Sequence, residues 1–491
     1  VEHLDVLIVG AGLSGVGAAA RLELERPGTS YAVLEARSTI GGTWDLFRYP
    51  GVRSDSDMHT LGYPFRPWLE GRAIADGPSI LGYVRDTARE LGVEPHVRLH
   101  HRVMAADWSS ADARWTVQVE RADTDERLTM TCGFLFSCTG YYRYDHGYEP
   151  EFAGRETFPG PVVHPQHWPA DLDVSHRRVV VIGSGATAVT LVPALAQTAA
   201  HVVMLQRSPT YVTALPSRDA LAELARKHLS PERAYRLIRR KNIATSSLSY
   251  RLSQRWPAQM RALLLSGVRR QLPEGYDVEK HFGPSYGPWD QRLCVVPDGD
   301  LFVAISEGRA SVVTDRIARF TPDGVLLESG ETVEADIIVT ATGLELLLMG
   351  GTLLSVDGVL VDAPSTVAYK GMMLSGIPNF AFAVGYTNAS WTLKCDLVSR
   401  YVCRLLQHMG DEGYDVVTPV APPDDAREPL LDLAAGYVQR SLAELPKQGS
   451  RAPWRIHQNY RKDVRLLARG PVEDEGVRFT RRARVTTEVA R

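Results

Sequence analysis

Two glycine-rich loops hold the residues of this chain best suited to chemistry. The first reads Gly10-Ala-Gly12-Leu-Ser14-Gly15 and follows the apolar run Val6–Val9; the second reads Gly183-Ser184-Gly185-Ala186-Thr187-Ala188 and follows Val179–Ile182. Glycines in such a turn let backbone amides approach a pyrophosphate, which then rests on the positive N-terminus of the next helix. The strands that come next end in opposite charges. Tyr31–Leu34 ends at Glu35, whose carboxylate suits the free hydroxyls of a ribose, as in FAD, and repels a 2′-phosphate. Val202–Leu205 ends at Gln206-Arg207-Ser208, where a guanidinium and a hydroxyl suit the 2′-phosphate of NADP(H). The chain is therefore expected to hold FAD and NADPH together. The competing reading of each loop, a plain strand–helix turn without ligand, is disfavoured by the matching charge at the end of each second strand.

The elements that must position these loops follow from the rest of the chain. At 491 residues there is length for two or three domains, and 44% hydrophobic with 23% charged residues is ordinary for a globular protein. A net charge of −3 gives no reason to invoke nucleic acid. The first strand begins near Asp5 and no uncharged run reaches transmembrane length, so a cytoplasmic location is expected. Five cysteines, at positions 132, 138, 294, 395 and 403, include no Cys-x-x-Cys pair; they fit a reducing compartment and argue against a dithiol relay. No His, Cys and acidic cluster has metal-site spacing, so no metal is expected.

Two apolar strands end in Thr-Gly turns, Phe134 to Cys138-Thr139-Gly140 and Ile337 to Ala341-Thr342-Gly343. Such turns suit a chain leaving one nucleotide-binding unit for another. The expected fold is α/β, with two Rossmann-like dinucleotide-binding domains. The FAD domain takes residues 1–143 and 346–491, the NADP domain 144–216 and 284–345, and a helical insertion in the latter takes 217–283. From Pro471 the polar, arginine-rich tail is expected to be mobile. Residues 218–270 carry 13 Arg or Lys against 3 Asp or Glu, a net of 13 − 3 = +10. That stretch reads as a solvated basic helical face, as a face that steers NADPH inward, or as a site of weak contact with anionic membrane lipid.

Between the loops, Phe158, Gly160, His164, Trp168 and Pro169 match F-x-G-x-x-x-H-x-x-x-W-P. This pattern resembles the signature of flavin-dependent Baeyer–Villiger monooxygenases, and composition alone would give it about 3 × 10⁻⁵ times per chain. The resemblance extends along the chain. Gly41-Gly42-Thr43-Trp44-Asp45 and Arg48-Tyr-Pro-Gly-Val-Arg53-Ser54-Asp55 are similar to the family's flavin-contacting loop. Tyr286 to Cys294, Ala368 to Gly376 and Gly385 to Lys394 resemble in particular its ethionamide-activating branch.

That resemblance implies insertion of oxygen from O2 into ketones, giving esters or lactones through a C4a-peroxyflavin, with oxygenation of sulfides and thioamides alongside. The partners it implies are a small ketone or sulfide and O2. Arg292 is implied as the fixed cation that stabilises negative charge beside the flavin, and Asp55 as its acidic partner. It further implies FAD contacts from Gly42, Thr43, Trp44, Asp55 and the backbone of Val103, and NADP contacts from Arg53 and Ser54. His164 reads as an interdomain hydrogen-bonding residue rather than a proton carrier, and Trp168 as an apolar anchor of the linker. Gln291 stands where many members carry lysine, which leaves Arg207 and Ser208 carrying more of the 2′-phosphate recognition. The rival readings are a flavin monooxygenase acting on nitrogen or sulfur through the hydroperoxyflavin, a plain pyridine-nucleotide oxidoreductase, and a non-enzymatic redox sensor.

Overall fold

The computed structural model describes residues 1–291, 293–431 and 433–482. Glu2–Val9 (β1) lies inside the first sheet because Val6, Leu7 and Ile8 are apolar on both faces, as a strand covered on both sides requires. Its parallel neighbours are Arg127–Ser137 (β6) and Tyr31–Leu34 (β2), with Val97–Arg98 (β3) beyond β2. On the other side His101–Ser109 (β4) and Arg114–Arg121 (β5) join antiparallel, and Leu353–Val356 (β17) with Val359–Leu360 (β18) closes that edge. The order is β18-β17-β4-β5-β6-β1-β2-β3, and strand Phe380–Phe382 also pairs with β6. Helices Leu13–Glu25 (α1), Gly77–Glu90 (α4) and Trp391–Glu412 (α11) bury their apolar residues with one face of this sheet. The short helices Thr43–Leu46 (α2) and Met58–Leu61 (α3) lie in the connection between β2 and α4.

The second sheet is wholly parallel. Its order is Ala310–Thr314 (β12), His201–Gln206 (β9), Arg178–Ile182 (β8), Ile337–Thr340 (β16) and Val162–Val163 (β7). Ala186–Leu195 (α5) and Asp300–Ser306 (α10) pack on one face. An antiparallel meander of Ile317–Thr321 (β13), Gly324–Leu327 (β14) and Thr332–Glu334 (β15) packs on the other. Val212–Leu215 (β10) and Cys294–Pro297 (β11) form a separate parallel ribbon.

The two sheets repeat one device. Gly10 and Gly183 have φ of +99° and +139°, and an added Cβ would lie 2.8 Å from the Cys138 carbonyl and 2.3 Å from the Ala341 carbonyl. Each nucleotide loop thus presses its first glycine on the turn through which the chain leaves that sheet, where no side chain fits.

Four helices, Ala220–His228 (α6), Pro231–Arg255 (α7), Pro257–Arg269 (α8) and Val278–Phe282 (α9), fill the stretch between β10 and β11. They reach the first lobe. The buried Arg239 guanidinium donates to the carbonyls of His59, Thr60 and Gly62 at 2.7, 3.1 and 2.8 Å, capping the end of α3, and the Tyr235 hydroxyl donates to the Tyr63 carbonyl at 3.0 Å.

The mobile tail expected from Pro471 is corrected over residues 471–482. Val477–Thr480 pairs antiparallel with Val416–Pro419, and the buried Lys370 ammonium donates to the Pro471 carbonyl at 3.1 Å and pairs with Asp474 at 3.0 Å. Residues 483–491 lie outside the described residues. None of the five cysteines forms a disulfide, and all are buried. Among the described residues no helix is long and apolar enough to cross a membrane, and no cluster of ligating side chains could hold a metal.

Candidate functional site: two nucleotide loops and the clasp between them

The first loop opens α1 with Gly12 as N-cap and no side chain capping the helix, so its first amides are left for another acceptor. Gly42, the N-cap of α2, faces Gly12, and the added Cβ of either would meet the other's Cα. The Thr43 hydroxyl pairs with that of Tyr144 at 3.1 Å, and Trp44 packs against the core beside them. Glu35 is buried at the end of β2. Its carboxylate accepts from the Ala11 and Arg37 amides at 2.7 and 2.9 Å; burial pushes its pKa up and these donors pull it back. Arg37 donates to Asp45 at 2.5 Å, while its buried Nε has no partner among the described residues. An uncapped helix start, a facing glycine cradle and an orphaned guanidinium nitrogen beside a strand-end glutamate fit the diphosphate and ribose of FAD.

Three further sequence-predicted members, Ser14, Gly15 and Val103, are held in the surrounding packing. The Ser14 hydroxyl accepts from Trp391 Nε1 at 2.8 Å and lies 3.4 Å from Cys395 Sγ, so it binds α1 to α11. Gly15 sits directly over the Gly10 carbonyl, and Val103 buries its side chain where β4 bulges.

The second loop opens α5 with Gly185 as N-cap, again without a side-chain cap, and a Cβ there would meet open space. Ala188 is fully buried beneath Ala186 and Thr187 in that first turn. The Ser184 hydroxyl donates to the Ser208 carbonyl at 3.0 Å and pairs with Thr210 at 2.9 Å, fixing the turn that follows β9. Arg207 is exposed there and forms no ion pair among the described residues. Open amides at a helix start beside an available guanidinium suit a dinucleotide with a 2′-phosphate.

The segment 47–55 leaves the first lobe and joins the second. Tyr49 and Val52 are buried in the α5 core, and the Tyr49 hydroxyl is hydrogen-bonded to Thr187. Burial is the main cause that pushes the Tyr49 pKa to about 12, with the charge of Asp55 adding to it, so this phenol stays neutral. Arg53 forms a two-pronged ion pair with Asp300, the first residue of α10. The Ser54 hydroxyl is buried and donates to the Ser56 carbonyl at 2.6 Å, while Asp55 is exposed and accepts from Ser56 Oγ at 3.2 Å. Behind this segment is a cavity of about 360 Å³ lined by Gly51, Arg53, Ala194, Gln197, Asp300 and Arg309.

The signature residues form a clasp over both interdomain crossings. Residues 141–148 and 343–347 run side by side, joined by Arg143 N–H to Glu345 O, Leu347 N–H to Tyr141 O and Tyr148 N–H to Gly343 O at 2.9 to 3.0 Å. His164 Nε2 donates to Gly343 O at 3.1 Å, and Nδ1 accepts from the Gln166 amide at 3.2 Å. The buried Gln166 side chain donates to the carbonyls of Arg143 and Tyr144 at 2.9 and 3.0 Å. Phe158 meets Phe320 edge-on, Gly160 leaves room for the Asp336 carbonyl, and Trp168, followed by Pro169, packs partly buried on the second lobe.

Arg292 lies outside the described residues. Of its motif, Trp289 adopts φ +74° and meets Tyr250 edge-on, and Asp290 accepts from the Gly287 amide at 2.8 Å. The structure thus brings Tyr49, Arg53 and Thr187 to one seam and adds Asp300 and Gln166, which sequence reasoning did not single out. Gln166 carried one usable signal, its place inside the signature; Asp300 carried none.

Comparison with known proteins shows the family and the fold of the chain. Residues 74–350 match the model of flavin-binding monooxygenase-like proteins, and residues 8–70 that of the NAD(P)-binding Rossmann-like domain. The chain is 59% identical to the FAD-containing monooxygenase EthA of Mycobacterium tuberculosis (strain CDC 1551 / Oshkosh), over 98% of both chains. It is 54% identical to EthA of Mycolicibacterium smegmatis, again over 98% of both. Among solved structures, an oxidized steroid monooxygenase bound to NADP shares the fold with a TM-score of 0.75 at 22% identity, covering 98% of this chain and 100% of that one.

Proposed function

The chain belongs to the flavin-binding monooxygenase-like family, and from that membership we propose that it is an FAD-containing, NADPH-dependent Baeyer–Villiger monooxygenase. Its reaction inserts one atom of O2 into a ketone to give an ester or lactone, with sulfides and thioamides oxygenated by the same site. The observation that carries this reading is the signature clasp, which ties both crossings between two uncapped nucleotide loops. When bound, FAD reduced by NADPH supplies the oxygen-transfer chemistry with O2.

The residues of this chain provide the rest. The starts of α1 and α5 hold the two diphosphates, Glu35 orients the first ribose, and Arg207 with Ser208 reads the 2′-phosphate. Tyr49 and Arg53 carry the flavin-side segment on the NADP-side core, so movement of one nucleotide is felt at the other. Arg292 stabilises the negative charge that develops where oxygen meets the substrate carbonyl, because a guanidinium keeps its proton throughout. Asp55 orients and moderates that cation.

The test is a mass-spectrometric product screen of the purified protein with FAD, NADPH and a panel of linear ketones, cyclic ketones and aryl sulfides. Esters or lactones among the products support the reading. Sulfoxides or N-oxides without any ester move the protein to the heteroatom-oxygenating branch instead. The basic helical layer favours a separate reading of location, peripheral contact with an anionic membrane surface.

A further inference from the structure

Six of the thirteen cations in residues 218–270 are already engaged within the protein. Arg218 pairs with Glu223, Lys241 with Asp219, and both Arg261 and Arg269 with Glu279. Arg239 is buried on three carbonyls, and Arg226 donates to the Glu70 carbonyl at 2.9 Å. What is left concentrates on α7. Arg233, Arg236, Arg240, Arg251 and Arg255 are all exposed, and none has an ion-pair partner among the described residues.

Their placement is not scattered. Ala234, Tyr235, Ile238, Arg239 and Ile243 face inward, and the bonds of Tyr235 and Arg239 to residues 59–63 fix that orientation. At about 100° per residue the five arginines, together with Leu237 and Leu248, fall within about 120° of arc on the opposite side. Leu237 is 53% and Leu248 56% exposed. At the end of the stripe Trp256 is 48% exposed with the Arg255 guanidinium 5.8 Å over its ring, and Leu263 of α8 is 60% exposed. The inner face of α7 is packed on the protein, so its one free face offers cations to headgroups together with two leucines and an end-placed tryptophan that can enter the headgroup–acyl boundary. An acidic protein partner would use the arginines but leave the leucines and tryptophan without a role.

We propose that the outer face of α7, continued by Trp256 and Leu263, docks this protein reversibly on an anionic phospholipid surface. The proposal rests on the peripheral-membrane reading of the helical layer and is independent of the oxygenation chemistry.

The experiment is co-sedimentation of the full-length protein with vesicles of phosphatidylcholine alone or mixed with phosphatidylglycerol, at low and high salt. Wild-type protein is expected to sediment with the anionic vesicles and to be released by salt. Replacing all five arginines (Arg233→Gln, Arg236→Gln, Arg240→Gln, Arg251→Gln, Arg255→Gln) is expected to weaken partitioning at least about thirtyfold, at about fivefold per arginine with two in contact at once. The variant Leu237→Ser/Leu248→Ser should lose the fraction that resists salt. Both sets lie on the exposed face, so NADPH oxidation in vesicle-free buffer should stay at the wild-type level. Equal sedimentation with both lipids overturns the membrane reading itself. Anionic preference that survives the five-arginine variant keeps that reading and overturns the assignment to α7. A change of oligomeric state in the leucine variant, with no vesicle binding by wild type, shows that a second copy covers the face and overturns the proposal.

Discussion

His164 Nε2 donates to the Gly343 carbonyl across 3.1 Å while its Nδ1 accepts the Gln166 amide, a pattern that only the Nε2-protonated neutral ring satisfies. Gly343 O also accepts from the Tyr148 amide, so one carbonyl of the return crossing is held from both the outgoing crossing and the signature. In this arrangement the signature histidine ties the two crossings together, and we propose that it serves as a structural pin rather than as a proton carrier.

Burial lowers the His164 pKa below its ordinary value. With the folded value below the unfolded one, the stability contributed by the neutral ring is complete above about pH 6.5 and is lost as pH falls through the folded value. Burial lowers His281 and His457 as well, so they share the decline. His164→Gln, which keeps a donor and cannot titrate, should therefore flatten the acid loss of stability without abolishing it. Urea midpoints at about pH 5.5 and about pH 7.5 for both proteins check this. An unchanged acid decline in the variant would show that His164 does not contribute to it.

Arg53 was expected to touch NADP, yet it is engaged by Asp300 of α10. If its main task is to hold segment 47–55 on the second lobe, Arg53→Ala and Asp300→Ala should raise the Michaelis constant for NADPH by similar factors, and the double variant should be little worse than either. The coupling expected for such a contacting pair is about 0.5–3 kcal/mol. A much larger penalty from Arg53→Ala alone would return the guanidinium to direct contact with the nucleotide.

How far the sequence reached depends on the range of the interaction. The nucleotide loops and their strand-end charges were legible because Gly10 to Glu35 and Gly183 to Ser208 are each local units whose spacing is dictated by one strand–helix–strand turn. The crossing turns at Cys138 and Ala341 were legible for the same reason. Asp300 was not, since its partner is 247 positions away and an isolated acid at a helix start carries no sign of what it will meet. Tyr49 read as part of a flavin-side loop, and its burial in the other lobe is a matter of packing between domains. The tail was misread because its polarity hides two specific ties: Tyr369 and Lys370 both reach Asp474, and Val477–Thr480 becomes a strand only beside Val416–Pro419.

Arg207 is exposed at the turn held by Ser184 and has no competing carboxylate among the described residues. Arg207→Ala should remove a charge-assisted contact with the 2′-phosphate of about 1.5–3 kcal/mol, raising the Michaelis constant for NADPH at least about tenfold. The value for NADH should hardly move, because NADH has no phosphate there. Steady-state kinetics with both coenzymes checks this, and an equal penalty on the two would make Arg207 a residue of the fold.

Gln166 is the buried keystone of the clasp, 1% exposed and bonded through its side-chain nitrogen to the Arg143 and Tyr144 carbonyls. Gln166→Leu leaves both acceptors without this donor and should cost about 1–3 kcal/mol of stability. Because the crossings it holds join the two nucleotide sites, NADPH consumption should also become less tightly linked to product, with the surplus released as hydrogen peroxide. Peroxide yield per NADPH, compared with the unfolding midpoint, separates the two effects. A destabilised variant that remains fully coupled would confine Gln166 to a packing role.

Arg292 lies outside the described residues, and its proposed role rests on its place in the stretch Trp289-Asp290-Gln291-Arg292. The prediction is correspondingly chemical. If the guanidinium stabilises the charge that develops during oxygen transfer, Arg292→Ala should retain FAD and oxidise NADPH while losing ester formation. Removing one preorganised donor at an oxyanion typically costs about 10²–10³ in rate. Asp55→Ala, which leaves the cation in place and removes only its acidic partner, should lose less. The two variants are to be compared by flavin content, NADPH consumption, peroxide release and ester yield on the same ketone. Electrons reaching O2 as peroxide with no ester would place Arg292 at the transfer step, after flavin reduction. Ester formation by Arg292→Ala near the wild-type rate would show that the charge is held by another donor.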